Sequence, residues 1–326
     1  MAEALTFKEC AAAYITAHRA GWTNAKHAQQ WENSLEQHAY PVIGELLVRD
    51  VKLPQVMAVL EPIWTTTNET AVRVRGRIEL VLDWATARGL REGLNPARWR
   101  GHLDKLLPKP SKVKAVEHHP SLPFTEAGAF MVELRQARGM GARALEFLIL
   151  TAVRSGDVCG ATWAEIDLDS NTWTIPAGRI KARKEHRVPL SAEALELLKA
   201  LPRMAGTDLV FPAPRSGQLS DATVGKVIKR MNARYTPPRW IDPKDGRPAV
   251  PHGFRSTIRD WASERTNYPH DVAEMALAHA IGDKVEAAYR RGDLFEKRRL
   301  MMADWAKFLA RPEVKGEVID MQSKRA

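Results

Sequence analysis

Six polar side chains that could act together on a phosphate diester are spread over residues 154–289. Two guanidinium groups can hold the non-bridging oxygens of one phosphate, and a histidine can accept a proton and later return it. A lysine can protonate a departing alkoxide, and a tyrosine can attack the phosphorus atom. The set predicts DNA strand transfer without a metal ion and without water as the nucleophile. In chain order the six groups are Arg154, Lys181, His252, Arg255, His279 and Tyr289.

The segments that contain these groups resemble the tyrosine recombinase family, particularly the integrases of phages and integrative elements. The resemblance covers about the C-terminal two-thirds of the chain. In that family the first arginine follows a threonine-rich helix end and precedes an acidic residue, and Thr151 and Asp157 stand in those places around Arg154. The sequence departs from the family at Ala152 and Ala278, where glycine is common, and at Asp157, where glutamate is usual. These departures leave the chemistry of the motif intact.

The lysine and the second arginine also match the family by position. Lys181 stands seven residues before Val188 of a Val-Pro-Leu strand, in the turn of a predicted β-hairpin, and Lys184 is the alternative in the same turn. His252 and Arg255 form an H-x-x-R motif. Because residues three apart share one face of a helix, both can reach the same phosphate.

The tyrosine is chosen from three that lie in this part of the chain. Tyr289 follows an L-A-H segment, as the nucleophile of an integrase does, whereas Tyr235 and Tyr268 follow no such segment. His279 ends a predicted helix, where it fits either the phosphate site or a partner for the helix dipole. Its placement ten residues before Tyr289 favours the site.

An almost wholly apolar run over residues 144–153 predicts a buried helix that delivers Arg154 into the interior. A buried guanidinium needs an anion. Asp157 or Glu146 could supply that anion in a structural ion pair, which is the ordinary explanation for a single buried arginine. The other groups of the set follow Arg154 in the order that the family has, which favours a phosphate as the anion instead.

The resemblance implies a mechanism and a set of partners. Tyr289 attacks phosphorus, His252 accepts its proton, the two arginines and His279 stabilise the pentacoordinate oxygens, and Lys181 protonates the 5′ oxygen. The 3′-phosphotyrosyl enzyme is then attacked by a 5′ hydroxyl of a partner duplex, so neither a cofactor nor a metal is required. The implied partners are double-stranded DNA attachment sites, three further copies in a homotetramer at synapsis, and accessory excision or DNA-bending proteins. The free protein is expected to be a monomer.

Length, charge and cysteine usage agree with this interpretation. A chain of 326 residues exceeds one typical core, and the net charge of +10, from 49 Lys and Arg against 39 Asp and Glu, attracts polyanions of any kind. Cys10 and Cys159 are too few for a disulfide framework or a cysteine-rich zinc site, which fits a bacterial cytoplasm and its nucleoid. The sequence contains no signal-peptide pattern and no run of eighteen apolar residues, which argues against export and a membrane span.

The first hundred residues are predicted to be helical. Thr6 and Glu9 form a capping-box pattern at the start of one helix, and residues 70–87 have helical apolar spacing. Arg73 and Arg77 share another face of that second helix, where they could be solvated charges or DNA phosphate contacts. The position of a core-binding domain in integrases favours phosphate contacts.

The predicted architecture is mainly α with a small β-hairpin or sheet, an α+β fold. Pro108, Pro110 and six basic residues between Arg98 and Lys114 indicate an extended linker. His118 and His119 are adjacent and point apart in any regular element, so they do not predict a metal site. The predicted domains are a helical core-binding domain over 1–100, a basic linker over 101–119, and a tyrosine recombinase catalytic domain with a C-terminal tail over 120–326.

Two other functions use similar residues. A type IB topoisomerase has nearly the same chemistry but religates the same strand, and it would relax supercoils as a monomer. A DNA-binding regulator on the same fold would have no need of a tyrosine nucleophile. A covalent adduct on a suicide substrate separates the regulator from the two enzymes.

Overall fold

The computed structural model describes residues 4–22, 25–113, 117–180, 183–215, 217–279 and 292–311. The chain divides into two units, residues 1–117 and 118–326, and each unit has its own apolar core. Helices dominate both, and the one sheet found in the described ranges has three antiparallel strands. The predicted mainly α architecture with a small sheet is confirmed. Within these ranges, no helix combines the length and apolar character needed to cross a membrane.

The first unit is a bundle of helices that begins at the predicted capping box. The Thr6 backbone N–H donates to Glu9 Oε2 at 2.7 Å, and the Glu9 N–H donates to Thr6 Oγ1 at 3.2 Å. α2 continues into a π-helical stretch, Leu35–Gly44, which contains Pro41. The α-helices of the unit are α1 (Phe7–His18), α2 (Ala25–Ser34), α3 (Leu53–Trp64), α4 (Asn68–Ala87) and α5 (Pro110–Val113).

The two arginines of α4 differ from the expectation that both meet DNA. Arg77 is only 9% exposed, and its guanidinium donates to the Gln30 carbonyl at 2.6 Å and to the Ser34 hydroxyl. Burial, and then the charge of Arg73, lower the pKa of Arg77. Arg73 is exposed and pairs with Glu69 one turn earlier. The expected phosphate contact is therefore wrong for Arg77, because packing against α2 uses its donors inside the unit.

The segment predicted to be an extended linker over 101–119 is partly folded. Leu103 and Leu107, four residues apart, are buried in the core of the first unit. Trp99 stacks on Trp64 with ring centroids 5.4 Å apart, and residues 110–113 form α5. The prolines and charges of this segment suggest an extended chain, but its apolar residues have the spacing that lets one face pack.

The second unit is built around a single apolar core, to which both the helices and the sheet contribute side chains. In the sheet, Trp173 pairs with Val188 and Ile175 pairs with His186. Its strands are β1 (Ile166–Asp167), β2 (Thr172–Ile175) and β3 (His186–Pro189). Its α-helices in the described ranges are α6 (Phe124–Gln136), α7 (Met140–Thr151), α8 (Ser155–Cys159), α9 (Ala192–Ala200), α10 (Asp221–Asn232), α11 (Phe254–Arg265), α12 (His270–Ala276) and α13 (Phe295–Ala310).

Helix α7 is buried on every side over its C-terminal turns, as its apolar run predicts. The Trp305 indole N–H of α13 donates to the Ile149 carbonyl at 2.8 Å, which ties the last helix to α7. α7 ends at Thr151, and the next residue, Ala152, caps it with a left-handed backbone of φ 57° and ψ 16°. This turn places Arg154 at the N-terminal cap of α8.

Candidate active site

Arg154 lies on the turn between two helices and faces the segment that follows α12. Its Nη2 donates to the Ala278 carbonyl at 3.3 Å. Glu146, one of the carboxylates considered as its partner, instead binds Arg135 and Arg143 at 2.9 and 2.8 Å. The structural ion pair between Arg154 and Glu146 is therefore excluded.

Arg255 lies in the first turn of α11 and is only 4% exposed. Its Nη1 donates to the Ala152 carbonyl and its Nη2 to the Leu277 carbonyl, both at 2.5 Å. Nη2 also lies 3.0 Å from His279 Nε2. Burial, and then the charge of Arg154, lower the pKa of Arg255 to about 10, so the group stays protonated at neutral pH. Its orientation is fixed by backbone carbonyls that carry no full negative charge.

The two arginines form a concentration of positive charge that carbonyls orient but do not neutralise. Within the part of the chain that the structure describes, neither Arg154 nor Arg255 forms an ion pair with a carboxylate. Asp157 is 9% exposed, and burial raises its pKa even though the charges of Arg179, Arg154 and Arg255 act in the opposite direction. The charges of Asp157 and Glu274 raise the pKa of Arg255, but among the described residues neither carboxylate is bonded to it. Two adjacent guanidiniums without an ion-pair partner favour the binding of an external anion.

The carbonyls that orient the arginines belong to two alanines with left-handed backbone. Ala152 has φ 57° and Ala278 has φ 48°. The Ala152 carbonyl accepts from Arg255, and the Ala278 carbonyl accepts from Arg154. Glycine adopts positive φ without strain, which accounts for its frequency at these two places in the family that the sequence resembles. The two departures from the family pattern are therefore sites of local backbone strain beside the arginines.

His279 connects Arg255 to a carboxylate. Because an arginine can only donate, His279 Nε2 accepts from Arg255, and the ring proton resides on Nδ1. Nδ1 donates to Glu274 Oε2 at 2.8 Å, and Arg259 donates to the other carboxylate oxygen at 2.5 Å. Burial would raise the pKa of Glu274, but the hydrogen bonds from Arg259 and His279 outweigh it, so the pKa is lowered. An ionised Glu274 therefore orients the His279 ring toward Arg255.

His252 lies in the short 3-10 turn Pro251–Gly253 that precedes α11. Its ring faces the ring of His119, with centroids 4.5 Å apart and planes inclined by 60°. Partial burial, and then the positive charges of neighbouring groups led by His119, lower the pKa of His252 to about 4. The imidazole is therefore neutral near pH 7 and can accept a proton.

Two of the six predicted groups, Lys181 and Tyr289, lie outside the described residues. The loop that contains Lys181 joins β2 to β3, and Arg179 in its first part is bonded to α8. Arg179 binds the Glu165 carboxylate and donates to the Asp157 carbonyl of α8. The base of the loop is thus fixed to the helix that begins at Arg154.

The alternative tyrosines have other partners. The Tyr235 hydroxyl donates to Glu133 at 2.8 Å, and the Tyr268 hydroxyl donates to Asp304 at 2.6 Å. Burial and the hydrogen bond to Asp304 raise the pKa of Tyr268 to about 12. Among the described residues, neither Glu133 nor Asp304 is bonded to Arg154 or Arg255, which disfavours both tyrosines as nucleophiles.

His186 is a residue of this region that the sequence interpretation did not single out. Burial, and then the charge of Arg298, lower its pKa to about 4, while a hydrogen bond to the Ala276 carbonyl acts in the opposite direction. Arg154 and Arg255 also lower this pKa, which places His186 within range of both charges. Its Nε2 is buried and has no hydrogen-bond partner among the described residues. The alternation of β3 could have indicated it, because His186 lies two residues before buried Val188.

A second unpredicted group joins β3 to the start of α13. Arg298 is 1% exposed and donates to Asp293 Oδ2 at 2.9 Å, to the Asp293 carbonyl at 2.8 Å and to the Arg187 carbonyl at 2.6 Å. The Arg187 guanidinium forms a bidentate pair with the same Asp293 carboxylate, in which Nε donates to Oδ2 at 3.1 Å and Nη2 donates to Oδ1 at 3.0 Å. Asp293 stands shortly after Tyr289 in the sequence, so β3 fixes the chain just beyond the predicted nucleophile.

Comparisons with known proteins agree with this fold. Residues 7–102 match the phage integrase central domain, and residues 124–293 match the phage integrase family. The chain is similar to the prophage integrase IntA of Escherichia coli (strain K12), with 30% identity over 298 residues, covering 87% of this chain and 67% of that protein. It is also similar to the integrase of Enterobacteria phage P4, with 29% identity over 294 residues, covering 84% of this chain and 63% of that protein.

A solved structure with a similar fold is a lambda integrase tetramer bound to a Holliday junction. Its TM-score is 0.64 at 17% identity, and the match covers 86% of this chain and 79% of that chain. The matched family models define a DNA strand-breaking and rejoining enzyme of the tyrosine recombinase class. The chain belongs to the phage integrase family, and it is a site-specific recombinase that breaks and rejoins DNA strands. The predicted family and enzyme class are confirmed, and the topoisomerase and regulator alternatives are not favoured.

Proposed function

We propose that this chain recombines DNA attachment sites through a 3′-phosphotyrosyl intermediate formed by Tyr289. The Tyr289 oxygen bonds to phosphorus as the bond from phosphorus to the 5′ oxygen breaks. His252 takes the phenolic proton, and Lys181 gives a proton to the departing 5′ oxygen. In the reverse step, a 5′ hydroxyl of a partner duplex gives its proton to Lys181 and bonds to the same phosphorus, while the Tyr289 oxygen leaves with the proton that His252 returns. This exchange of strands integrates or excises a mobile element.

The observation that carries this proposal is the pair Arg154 and Arg255. Backbone carbonyls orient both guanidiniums, and no carboxylate among the described residues pairs with either of them. Guanidiniums that are already held in place need little reorganisation to stabilise the negative charge that develops on a phosphate. His279, oriented by Glu274 and in contact with Arg255, adds a further group at the same place.

The protonation state of His252 supports its role as the proton acceptor. A pKa of about 4 means that the ring is neutral over the physiological range. The phenol has an ordinary pKa of about 10, so attack requires a base or a cationic surrounding. His252 and the two arginines supply these two requirements together.

The proposed partners follow from the chemistry and from the relatives. The substrate is a pair of double-stranded attachment sites, and two cleavages in each duplex require four protomers, as in the lambda integrase tetramer on a Holliday junction. The free protein is a monomer. Accessory excision or DNA-bending proteins assist assembly, and the setting is the bacterial cytoplasm at the nucleoid.

The nucleophile is tested by removing one oxygen. Duplexes that the protein selects from a random-sequence library are prepared with a nick at successive positions, so that one of them traps the covalent adduct. We expect Tyr289→Phe to abolish the adduct on a denaturing gel while DNA affinity and thermal unfolding stay unchanged. Tyr268→Phe is the matched control, because it removes a hydroxyl that binds Asp304, and its adduct should persist.

Undiminished adduct formation by Tyr289→Phe would refute the assignment of the nucleophile. Tight binding of the selected duplexes without any adduct from the unaltered chain would refute the catalytic proposal as a whole. Mass spectrometry of the digested adduct should place the nucleotide on the peptide that contains Tyr289.

A further inference from the structure

His119 lies next to the proposed proton acceptor although it belongs to none of the six groups. Its ring centroid is 4.5 Å from that of His252, and the two planes are inclined by 60°. Among the neighbouring charges, that of His119 has the largest effect in lowering the pKa of His252. The two histidines are far apart in the sequence, so the contact depends on how the first residues of the second unit pack.

The chain immediately after His119 is hydrogen-bonded to the segment that leads into the turn of His252. The Val250 N–H donates to the Pro120 carbonyl at 3.2 Å. The Ser121 N–H donates to Asp242 Oδ2 at 2.9 Å. These two bonds hold residues 120–121 against Val250 and Asp242, which both precede His252 in the chain.

A close backbone approach fixes the spacing between the two histidines. A Cβ atom at Gly253 would stand only 2.0 Å from the Pro120 carbonyl oxygen, so no larger residue fits there without moving the chain. Gly253 follows His252 directly, and Pro120 follows His119 directly. One turn further along, the Thr257 hydroxyl of α11 donates to the Leu122 carbonyl at 2.6 Å. The contact is therefore built by the backbone on both sides and does not depend on two flexible side chains alone.

We propose that His119 is a positioning residue, which holds the His252 ring in the orientation needed to accept the tyrosine proton and shields one face of it from water. This inference rests on the proposed role of His252. The His119 ring contacts the His252 ring and acts on the reaction through it.

The surroundings of His252 define the expected pH effect. The charged groups that act on it are His119 from residues 118–121, Arg255 from α11, Arg154 at the start of α8, and His279 after α12. Each of these groups lowers the pKa of His252 when it carries a positive charge. Removing His119 uncovers one face and removes one of these charges, and both changes raise the pKa of His252 from about 4 toward its ordinary 6.5. Protonated His252 cannot accept a proton, so adduct formation should fail at a higher pH.

The test compares four variants of the full chain on the nicked suicide duplex. His119→Ala removes the ring, and His119→Phe keeps a ring of similar shape without a charge. His118→Ala is the matched control, because His118 is engaged through its backbone carbonyl, which accepts from Arg247 at 3.2 Å. His252→Ala gives the full effect of removing the acceptor. Single-turnover adduct formation is measured from about pH 3.5 to 8, a range that includes the His252 pKa of about 4, and the His252 ring is titrated by NMR without DNA.

We expect His119→Ala to slow adduct formation by about tenfold at neutral pH, less than the roughly 100-fold or greater decrease for His252→Ala. Its acid limb and its NMR titration should both move to higher pH than those of His118→Ala. His119→Phe should recover most of the rate at neutral pH, because the ring contact is kept.

Failure of the two proposals gives different results. If His252→Ala abolishes the adduct but His119→Ala matches His118→Ala in rate, acid limb and NMR titration, the positioning role is wrong and the proposed mechanism stands. If His252→Ala forms the adduct at the normal rate, the proton-acceptor role fails, and the inference about His119 fails with it.

Discussion

At the scale of single residues, the site shows how backbone carbonyls can prepare a pair of arginines for a phosphate. Arg255 is almost fully buried, yet its donors end on the carbonyls of Ala152 and Leu277 and on His279. Carbonyls satisfy the hydrogen bonds of a guanidinium without cancelling its charge. A carboxylate in the same place would compete with the phosphate for the guanidinium. Carbonyls hold the guanidinium in the same orientation and leave its positive charge available to the phosphate.

The left-handed alanine beside this arginine gives a prediction about stability. Ala152→Gly should raise the free energy of unfolding by about 1 kcal/mol, because it relieves a backbone conformation that disfavours a side chain. Adduct formation should be retained, since the Ala152 carbonyl is backbone. Chemical denaturation of both proteins measures the difference.

Ala144→Gly is the control for that substitution. Ala144 lies within the same helix and is fully buried, so glycine there should lower the free energy of unfolding by about 1 kcal/mol or more. Two changes of the same chemical kind in one helix should thus have opposite signs. A decrease in stability in Ala152→Gly would contradict the account of strain at the end of α7.

At the scale of elements, strand β3 and the loop before it are bonded to α8, to the end of α12 and to the start of α13. His186 at its start bonds to the Ala276 carbonyl at the end of α12. Arg187, the next residue, binds Asp293 at the entry to α13, where Arg298 completes the group. The loop from β2 to β3 carries Lys181, and its base is tied to α8 through Arg179. Strand β3 therefore follows the loop that contains Lys181 and is bonded to the residues that precede and follow residues 280–291.

The role of Lys181 can be tested through the leaving group. Lys181→Ala should slow cleavage of an ordinary duplex, because the 5′ oxygen then departs without a proton. Cleavage should recover on a duplex whose bridging 5′ oxygen is replaced by sulfur, since a thiolate leaves unprotonated. Rates of adduct formation on the two duplexes give the measurement.

Lys184→Ala is the matched control, since Lys184 lies exposed in the same loop. It should cleave both duplexes like the unaltered chain. Equal defects of Lys181→Ala on both duplexes would remove it from the acid role, and sulfur rescue of Lys184→Ala would transfer the role to that residue.

At the scale of the whole molecule, the chain consists of two units with separate cores and a large excess of positive charge. The net charge of +10 favours DNA, but individual arginines contribute in different ways. Arg77 is buried and bonded within its own unit, whereas Arg154 forms a single hydrogen bond among the described residues, to the Ala278 carbonyl. The charge count alone therefore overstates the number of groups that can meet phosphate.

Salt dependence separates these two kinds of arginine. The logarithm of the DNA affinity should fall linearly with the logarithm of salt concentration, and Arg154→Ala should reduce the steepness by about 0.9, because one phosphate is no longer neutralised. Arg77→Met should leave the slope unchanged and lower the free energy of unfolding by about 1–3 kcal/mol, because buried acceptors are deprived of their donors. Titrations from low to moderate salt and denaturation curves measure both. A changed slope in Arg77→Met would mean that this arginine reaches DNA after all.

The sequence by itself determined the features that depend on short spacing. The capping box at Thr6, the buried helix before Arg154 and the pairing of β2 with β3 are all found where the local pattern predicts them. The order of the six groups also sufficed to indicate the family, because the reaction needs those chemical types together. Propensity, capping and alternation act over one or two turns, so a single chain contains that information.

Only the tertiary structure decided which groups meet. The bond from Arg255 to Ala152 joins residues 103 positions apart, and that from Arg154 to Ala278 joins residues 124 apart. The contact of His119 with His252 and the burial of Arg77 likewise depend on approaches between distant segments. Whether a charge is solvated, bonded to a carbonyl or left for a ligand depends on the atoms around it after folding. Local spacing cannot contain that information, because those atoms come from other parts of the chain.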